Sequence, residues 1–246
     1  MKILLAPAET KIDGGEYPPY SEDNFYFKEL FDIQDNIVHE YDKFITSSDI
    51  EILSKWFGLK NKKECERYSH SILTKPTTKA ILRYTGVAFD ALDYKNMDEN
   101  QQHYCDENIL LFSNLFGVVK ADDKIPDYKY KQGNSLPNID TIKYYKEHLK
   151  PTLDEYLGDE IIDLRASFYD KVYKPIAPTI TFKFLKDGKV VSHWAKHYRG
   201  LVVRELAKAN IQNFAQLMAL KIPNLTLVEI QEKKNIKTLI MSIDSN

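Results

Sequence analysis

Thr179-Ile180-Thr181-Phe182-Lys183-Phe184-Leu185, then Asp187-Gly188, then Val190-Val191-Ser192-His193-Trp194, is a strand–turn–strand pattern. Asp-Gly between alternating apolar runs is a strong hairpin signal, because both residues tolerate the positive φ of the turn. The pattern runs on into Ala195-Lys196-His197-Tyr198-Arg199-Gly200-Leu201-Val202-Val203-Arg204, which reads as the start of a helix. A helix N-terminus presents free N–H groups and a partial positive charge. Lys196, Arg199 and Arg204 add three cations there, the makings of a site for phosphate or another oxyanion. The plainer reading is a set of cations solvating a helix surface.

The flanking charge leans toward the anion site. From Arg165 to Lys208 there are ten Lys or Arg against three acids, a net of +7. The first hundred residues hold 13 Lys or Arg against 18 Asp or Glu, a net of −5, and the whole chain is −2. Segregation of this kind favours a basic face or cleft that meets a polyanion, with an acidic remainder for solubility. Lysines that protect strand edges would produce part of the same pattern.

At 246 residues, with 43% hydrophobic and 28% charged residues, the composition is that of a globular protein with one large core or two modest ones. No apolar run approaches a membrane span, and the opening Met1-Lys2-Ile3-Leu4-Leu5-Ala6-Pro7 is too short for a secretory signal. Cys65 and Cys105 make no metal or redox spacing, so a reduced, cytoplasmic protein is expected. Lys2 to Leu5 reads as a buried strand and 11–24 as a surface loop. Helical periodicity with breaks fills 25–70, where Thr46 or Ser47 caps a helix stopped by Gly58. Thr77-Thr78 caps a short helix that Gly86 ends. Residues 98–115 and 140–157 read as further helices, the second interrupted by Pro151. Ile161 to Leu164 is a second buried strand, 213–220 a short helix, and 225–230 with 236–243 a terminal hairpin. Helices and strands mix without βαβ alternation, which predicts one mixed α/β (α+β) domain over 1–246.

Five stretches in order resemble the YaaA peroxide-stress protein family. They are Ala6-Pro7-Ala8-Glu9-Thr10; Ala80 to Leu92, with Arg83-Tyr84-Thr85-Gly86 at its centre; Leu111 to Lys120 running on to Ile125-Pro126-Asp127-Tyr128-Lys129; Ile162 to Tyr169; and Ala195 to Gly200. The chain departs from the family pattern at Glu9, where the family has a Lys that Lys11 is placed to replace. It departs also at Tyr198, a small residue in the family, and at Lys120-Ala121, an Arg-Pro pair in the family. The resemblance implies a cytoplasmic bacterial protein that helps cells survive peroxide, partly by limiting free iron. It further implies a mixed sheet with β-hairpins, a positively charged cleft, a helix-hairpin-helix element and binding of double-stranded DNA.

A helix-hairpin-helix contacts phosphates through backbone N–H groups and a few cations, without reading sequence. Gly86 or Gly117 would supply the hairpin, unless both are ordinary helix C-caps. On this reading DNA phosphates meet Lys196, Arg199, Arg204 and Lys129, and Tyr128 and Tyr198 are placed to stack on bases. The rival from another class is an enzyme acting on a small phosphorylated or carboxylated substrate, with Thr10, Ser167, Tyr169, Lys196 and Arg199 lining its cleft. No nucleophile elbow, P-loop or dinucleotide fingerprint is present, and no cofactor is expected. A third reading, metal held by His193 with His197 or His103 with Cys105, is weaker than packing, and no metal site is expected. A peroxide-sensing Cys65 or Cys105 would require an exposed thiolate of low pKa.

Overall fold

The computed structural model describes residues 1–244, apart from the side chains of Ser192 and His193. Strand β1 (Lys2–Leu5) leads through a polar stretch to helices α1 (Phe31–Ser47), α2 (Ile50–Phe57) and α3 (Lys62–Arg67). Strand β2 (Thr77–Lys79) is followed by α4 (Ala80–Arg83), α5 (Val87–Leu92), α6 (Glu99–Asn108), β3 (Ile109–Ser113), β4 (Gly117–Lys120) and β5 (Lys124–Pro126). Then come α7 (Thr141–His148), α8 (Lys150–Tyr156), β6 (Ile161–Leu164), β7 (Thr179–Lys186) and β8 (Lys189–Val190). The described chain closes with α9 (Ser192–Lys208), α10 (Phe214–Ala219), β9 (Leu225–Lys233) and β10 (Ile236–Ile243).

The main sheet runs β4-β3-β1-β6-β7-β10-β9, with β8 paired to β7, and β2 and β5 form a small antiparallel pair. Strands β3, β1, β6, β7 and β10 are parallel, while β4 and β9 pair antiparallel at the edges. The parallel centre is buried on both faces, which is why Ile3-Leu4-Leu5 and Ile109 to Ser113 are near-continuous apolar runs instead of alternating ones. Strand β1 pairs with β3 on one side and with β6 on the other. The direction of winding therefore reverses at β1. In an open parallel sheet such a switch point leaves a crevice outside the carboxyl ends of the strands. The result is a single mixed α/β domain, as the residue pattern predicts.

Several boundaries differ from the sequence reading for identifiable reasons. The helix expected over 98–115 is α6 plus β3, because Ile109-Leu110-Leu111-Phe112 is a central strand and a short apolar run has no decisive period. Thr77 and Thr78 are not caps but members of β2, paired with Pro126 and Ile125 of β5. Thr46 and Ser47 finish α1, donating to the carbonyls of Asp42 and Lys43, and Asp49 is the residue that precedes α2. The Asp187-Gly188 turn has both φ values positive, 51° and 73°, as expected for a tight hairpin. Its second strand is only Lys189–Val190, and the chain is already helical at Ser192.

Helix α9 docks on α5 at one point of very close approach. A Cβ at Gly200 would lie 1.9 Å from the Ala88 carbonyl oxygen. Only glycine lets the two backbones meet there, and this contact sets which residues of α9 face the sheet.

Candidate functional site

The loop leaving β1 is fastened to the segment before α5. Thr10 Oγ1 donates to the Thr85 carbonyl at 3.0 Å, Thr85 N donates to the Thr10 carbonyl at 3.1 Å, and Ile12 N donates to the Arg83 carbonyl at 3.0 Å. Below it lies Arg83, fully buried, whose guanidinium donates to the carbonyls of Ile12 (2.8 Å) and Ile125 (3.0 Å). Gly86 then opens α5 with φ 101°, a conformation that the loop needs and that L residues rarely adopt.

This fastening turns Lys11 inward, to 8% exposure. Its Nζ donates to the carbonyls of Ala8 (3.2 Å) and Glu9 (3.4 Å) and sits 4.2 Å and 5.2 Å from the ring centroids of Tyr128 and Tyr84. Burial pushes the Lys11 amine down to about 7. Asp127 opposes the shift, Lys129 adds to it, Glu9 opposes it, and Arg83 adds to it. The Tyr128 hydroxyl lies 2.8 Å from Tyr84 Oη and 2.8 Å from Ser113 Oγ, forming a buried chain of hydroxyls beside the amine.

Lys11 lines a cavity of about 490 Å³ outside the carboxyl ends of β1 and β6. Its floor is Leu5 to Ala8 and Leu164, with Asn114, Tyr128 and Tyr169 on one side. Gly86 to Phe89 at the start of α5 and Lys196 and Arg199 of α9 complete the lining. Lys196 and Arg199 stand three apart on α9, hence on one face of the helix. Lys196 is exposed and Arg199 half-buried, and neither has a carboxylate within salt-bridge distance among the described residues. Burial pulls the Arg199 guanidinium pKa down, against the restraint of Asp163.

Thr10, Tyr128, Tyr169, Gly86, Lys196 and Arg199 thus come together around one space. The other residues singled out in the sequence lie elsewhere. Arg204 faces Asp93, with NH2 3.5 Å from Oδ2. Tyr198 is buried and stacks on Phe184, with ring centroids 5.5 Å apart. Lys129 is buried and pairs with Glu9 at 3.4 Å, so this cation is already engaged. Ser167 is exposed at the start of a short 3-10 turn. Gly117 opens β4 directly after the β3–β4 turn, so it joins two strands, not two helices. Lys11, Asn114 and the Tyr84–Ser113 hydroxyls were not singled out as site residues in the sequence, although Lys11 sits one residue past the opening motif.

The model of the peroxide stress protein YaaA family matches residues 1–231. The chain belongs to the YaaA peroxide stress protein family. It is 44% identical over 244 residues to uncharacterized protein Cj0984 of Campylobacter jejuni, covering 99% of each chain. Over 216 residues it is 36% identical to UPF0246 protein CE1889 of Corynebacterium efficiens, covering 84% of this chain and 85% of that one. UPF0246 protein SCO2297 of Streptomyces coelicolor is 30% identical over 215 residues, covering 84% and 82%.

In this member of the YaaA family, Lys11 and Glu9 both line the cavity. No group of three or more His, Cys, Asp or Glu among the described residues could hold a metal, and the His193 side chain lies outside them. No helix among them is long and apolar enough to cross a membrane. Both cysteines are free and buried. Burial, then the charge of Asp106, pushes the Cys105 thiol up to about 12, and burial with Glu66 and Glu64 raises that of Cys65. These are poor conditions for a peroxide-sensing thiolate. In the native protein both thiols are therefore expected to react with a thiol reagent at least about a hundredfold more slowly than after unfolding. Rapid native labelling of either cysteine would contradict their burial.

Proposed function

We infer that this peroxide stress protein uses its cavity to hold a small molecule bearing a carboxylate or phosphate. The observation that carries the reading is the convergence of Lys11, Lys196 and Arg199, none paired with a carboxylate, on one concave space at the switch point of the sheet. Ligand pockets of a few hundred Å³ with mostly apolar walls and a few convergent polar groups suit small molecules. Arg199 supplies a planar fork for an oxyanion and Lys196 a mobile charge at the mouth. The Asn114 carboxamide adds an amide group to the same space.

A second reading, non-specific binding of duplex DNA that limits iron-driven damage, is favoured by the net +7 between Arg165 and Lys208. Against it, Arg204 and Lys129 are already ion-paired and Tyr198 is buried. Two titrations separate the readings. Inorganic phosphate or citrate is expected to raise the melting temperature of the wild type in a saturable way. Affinity should fall at least about tenfold in Lys196→Ala/Arg199→Ala, since hydrogen bonds to charged groups contribute about 1.5–3 kcal/mol each. A fluorescent duplex should bind weakly, with little difference between the two proteins. Tight duplex binding that weakens steeply with salt and is lost in the double variant, with no response to phosphate or citrate, would replace the pocket with a DNA site.

A further inference from the structure

The geometry points to Lys11 as a nucleophilic amine that forms an imine with a small aldehyde or ketone, whose carboxylate or phosphate is held by Arg199 and Lys196. This inference rests on the small-anion reading of the cavity and gives it a reaction class.

A lysine buried for structural reasons is ordinarily paired with a carboxylate. No carboxylate oxygen lies within salt-bridge distance of the Lys11 Nζ among the described residues. Asp127 Oδ2 accepts from Arg67 at 2.7 Å, and Glu9 lies 3.4 Å from Lys129. What remains for the Lys11 Nζ is two carbonyls at 3.2 and 3.4 Å and two aromatic faces. A neutral amine retains its N–H donation to those carbonyls, so loss of the proton does not leave them orphaned. Lys11 also lines a space large enough for a substrate of several heavy atoms. Burial completes the picture by bringing the amine to about 7, so that near neutral pH about half is free base. An ordinary lysine holds about a thousandfold less free base at that pH.

The surroundings suit the step. The nitrogen lone pair attacks the carbonyl carbon, a C–N bond forms, and the C=O π pair moves to oxygen. One amine hydrogen passes to that oxygen, giving a carbinolamine. The C–O bond then breaks as the second amine hydrogen leaves with the oxygen, so that amine plus carbonyl yields imine plus water with no oxidation or reduction. Tyr128, the member of the hydroxyl chain that lines the cavity, serves to pass these protons, its hydroxyl 2.8 Å from both Tyr84 Oη and Ser113 Oγ. Asp127, whose Oδ1 is buried without a hydrogen-bond partner among the described residues, supplies negative charge near a protonated imine. Arg199 and Lys196, which line the same cavity, fix the anionic end and so orient the carbonyl toward the amine.

Reductive trapping tests this. The full chain is incubated at pH 7 with pyruvate and cyanoborohydride, digested, and the adduct mapped by mass spectrometry. Trapping at Lys11 is expected to be at least about a hundredfold faster than at any other lysine, with a rate that levels off above pH 7 where surface lysines continue to rise. Lys11→Arg, which keeps the charge, should abolish the specific adduct while circular dichroism reports an intact fold. Trapping of pyruvate should slow by about tenfold in Lys196→Ala/Arg199→Ala, while that of acetone, which has no anionic end, stays the same. Adducts spread over surface lysines with none enriched at Lys11, while phosphate or citrate still binds the cavity, would overturn the imine and leave the pocket reading standing. An adduct at Lys11 that forms with pyruvate equally fast in the wild type and in Lys196→Ala/Arg199→Ala would uphold the amine and overturn the anion-binding role of Arg199 and Lys196.

Discussion

Gly200→Ala is expected to destabilise the protein by about 3 kcal/mol, the upper end of the usual cost of overpacking. The reason is geometric. The new Cβ would lie 1.9 Å from the Ala88 carbonyl oxygen, 2.8 Å from Ala88 C and 3.0 Å from Leu92 N. All three are backbone atoms of α5, so no flexible side chain can move aside and the helices must separate. For a domain of this size the melting temperature should drop by about 6–12 °C. Affinity for phosphate or citrate should drop as well, because the α5–α9 contact holds Lys196 and Arg199 over the cavity. Gly133→Ala is the control. Its Cβ meets nothing within 4 Å and only the φ of +89° opposes it, so the cost should be about 1 kcal/mol with no change in ligand affinity. Equal effects of the two substitutions in thermal melts would contradict the close helix crossing.

Arg165→Ala should be at least as damaging. Its guanidinium meets the Asp163 carboxylate through two bonds, Nε to Oδ1 at 2.9 Å and NH2 to Oδ2 at 2.7 Å. NH2 also donates to the Tyr173 carbonyl at 3.1 Å, and the guanidinium carbon lies 4.3 Å from the Phe112 ring centroid. The arginine side chain is 1% exposed. Removing it leaves Asp163 without its partner in a nearly dry position, which typically costs about 3–5 kcal/mol. Arg165→Lys should recover little, since an ammonium cannot make both bonds to the carboxylate. Changing both partners to apolar residues, Asp163→Leu/Arg165→Met, should recover much of the loss, because no charge is then left unpaired. Denaturant unfolding of the three variants measures this. A single-variant cost below about 1 kcal/mol would mean that the pair does not anchor the segment from Ala166 to Tyr173.

The fold was legible where residue chemistry is local. Asp187-Gly188 announced its turn through the φ values that it tolerates, and Asn213, whose side chain accepts from Gln216 N, announced α10. Pro151 marked the break between α7 and α8. Legibility failed where tertiary context decides. Ile109 to Phe112 is apolar enough for either a helix or a strand, and only its place between β1 and β4 makes it a strand. Thr77-Thr78 has the chemistry of a cap, but its backbone is taken up by pairing with β5.

The site divides in the same way. Lys196 and Arg199 were readable as a cationic pair because helix periodicity puts residues three apart on one face. Lys11 was noticed only as a stand-in cation beside Glu9; its burial was not readable, because nothing in a polar loop tells a buried lysine from a solvated one. Its placement depends on Thr85 and on Arg83, both more than seventy positions away. For Lys129 and Arg204, the pairing partners Glu9 and Asp93 are equally remote in sequence, which is why charge counting overstated the number of free cations.

An oxyanion bound in the cavity is expected to sit against Arg199. The direct measurement is a crystal soaked with tungstate, a heavy phosphate analogue, and the position of its anomalous peak. A peak is expected within the cavity, at hydrogen-bonding distance from the Arg199 guanidinium and lost in Lys196→Ala/Arg199→Ala. Peaks only on surface lysines such as Lys183 and Lys189, with the cavity empty at the same tungstate concentration, would contradict it.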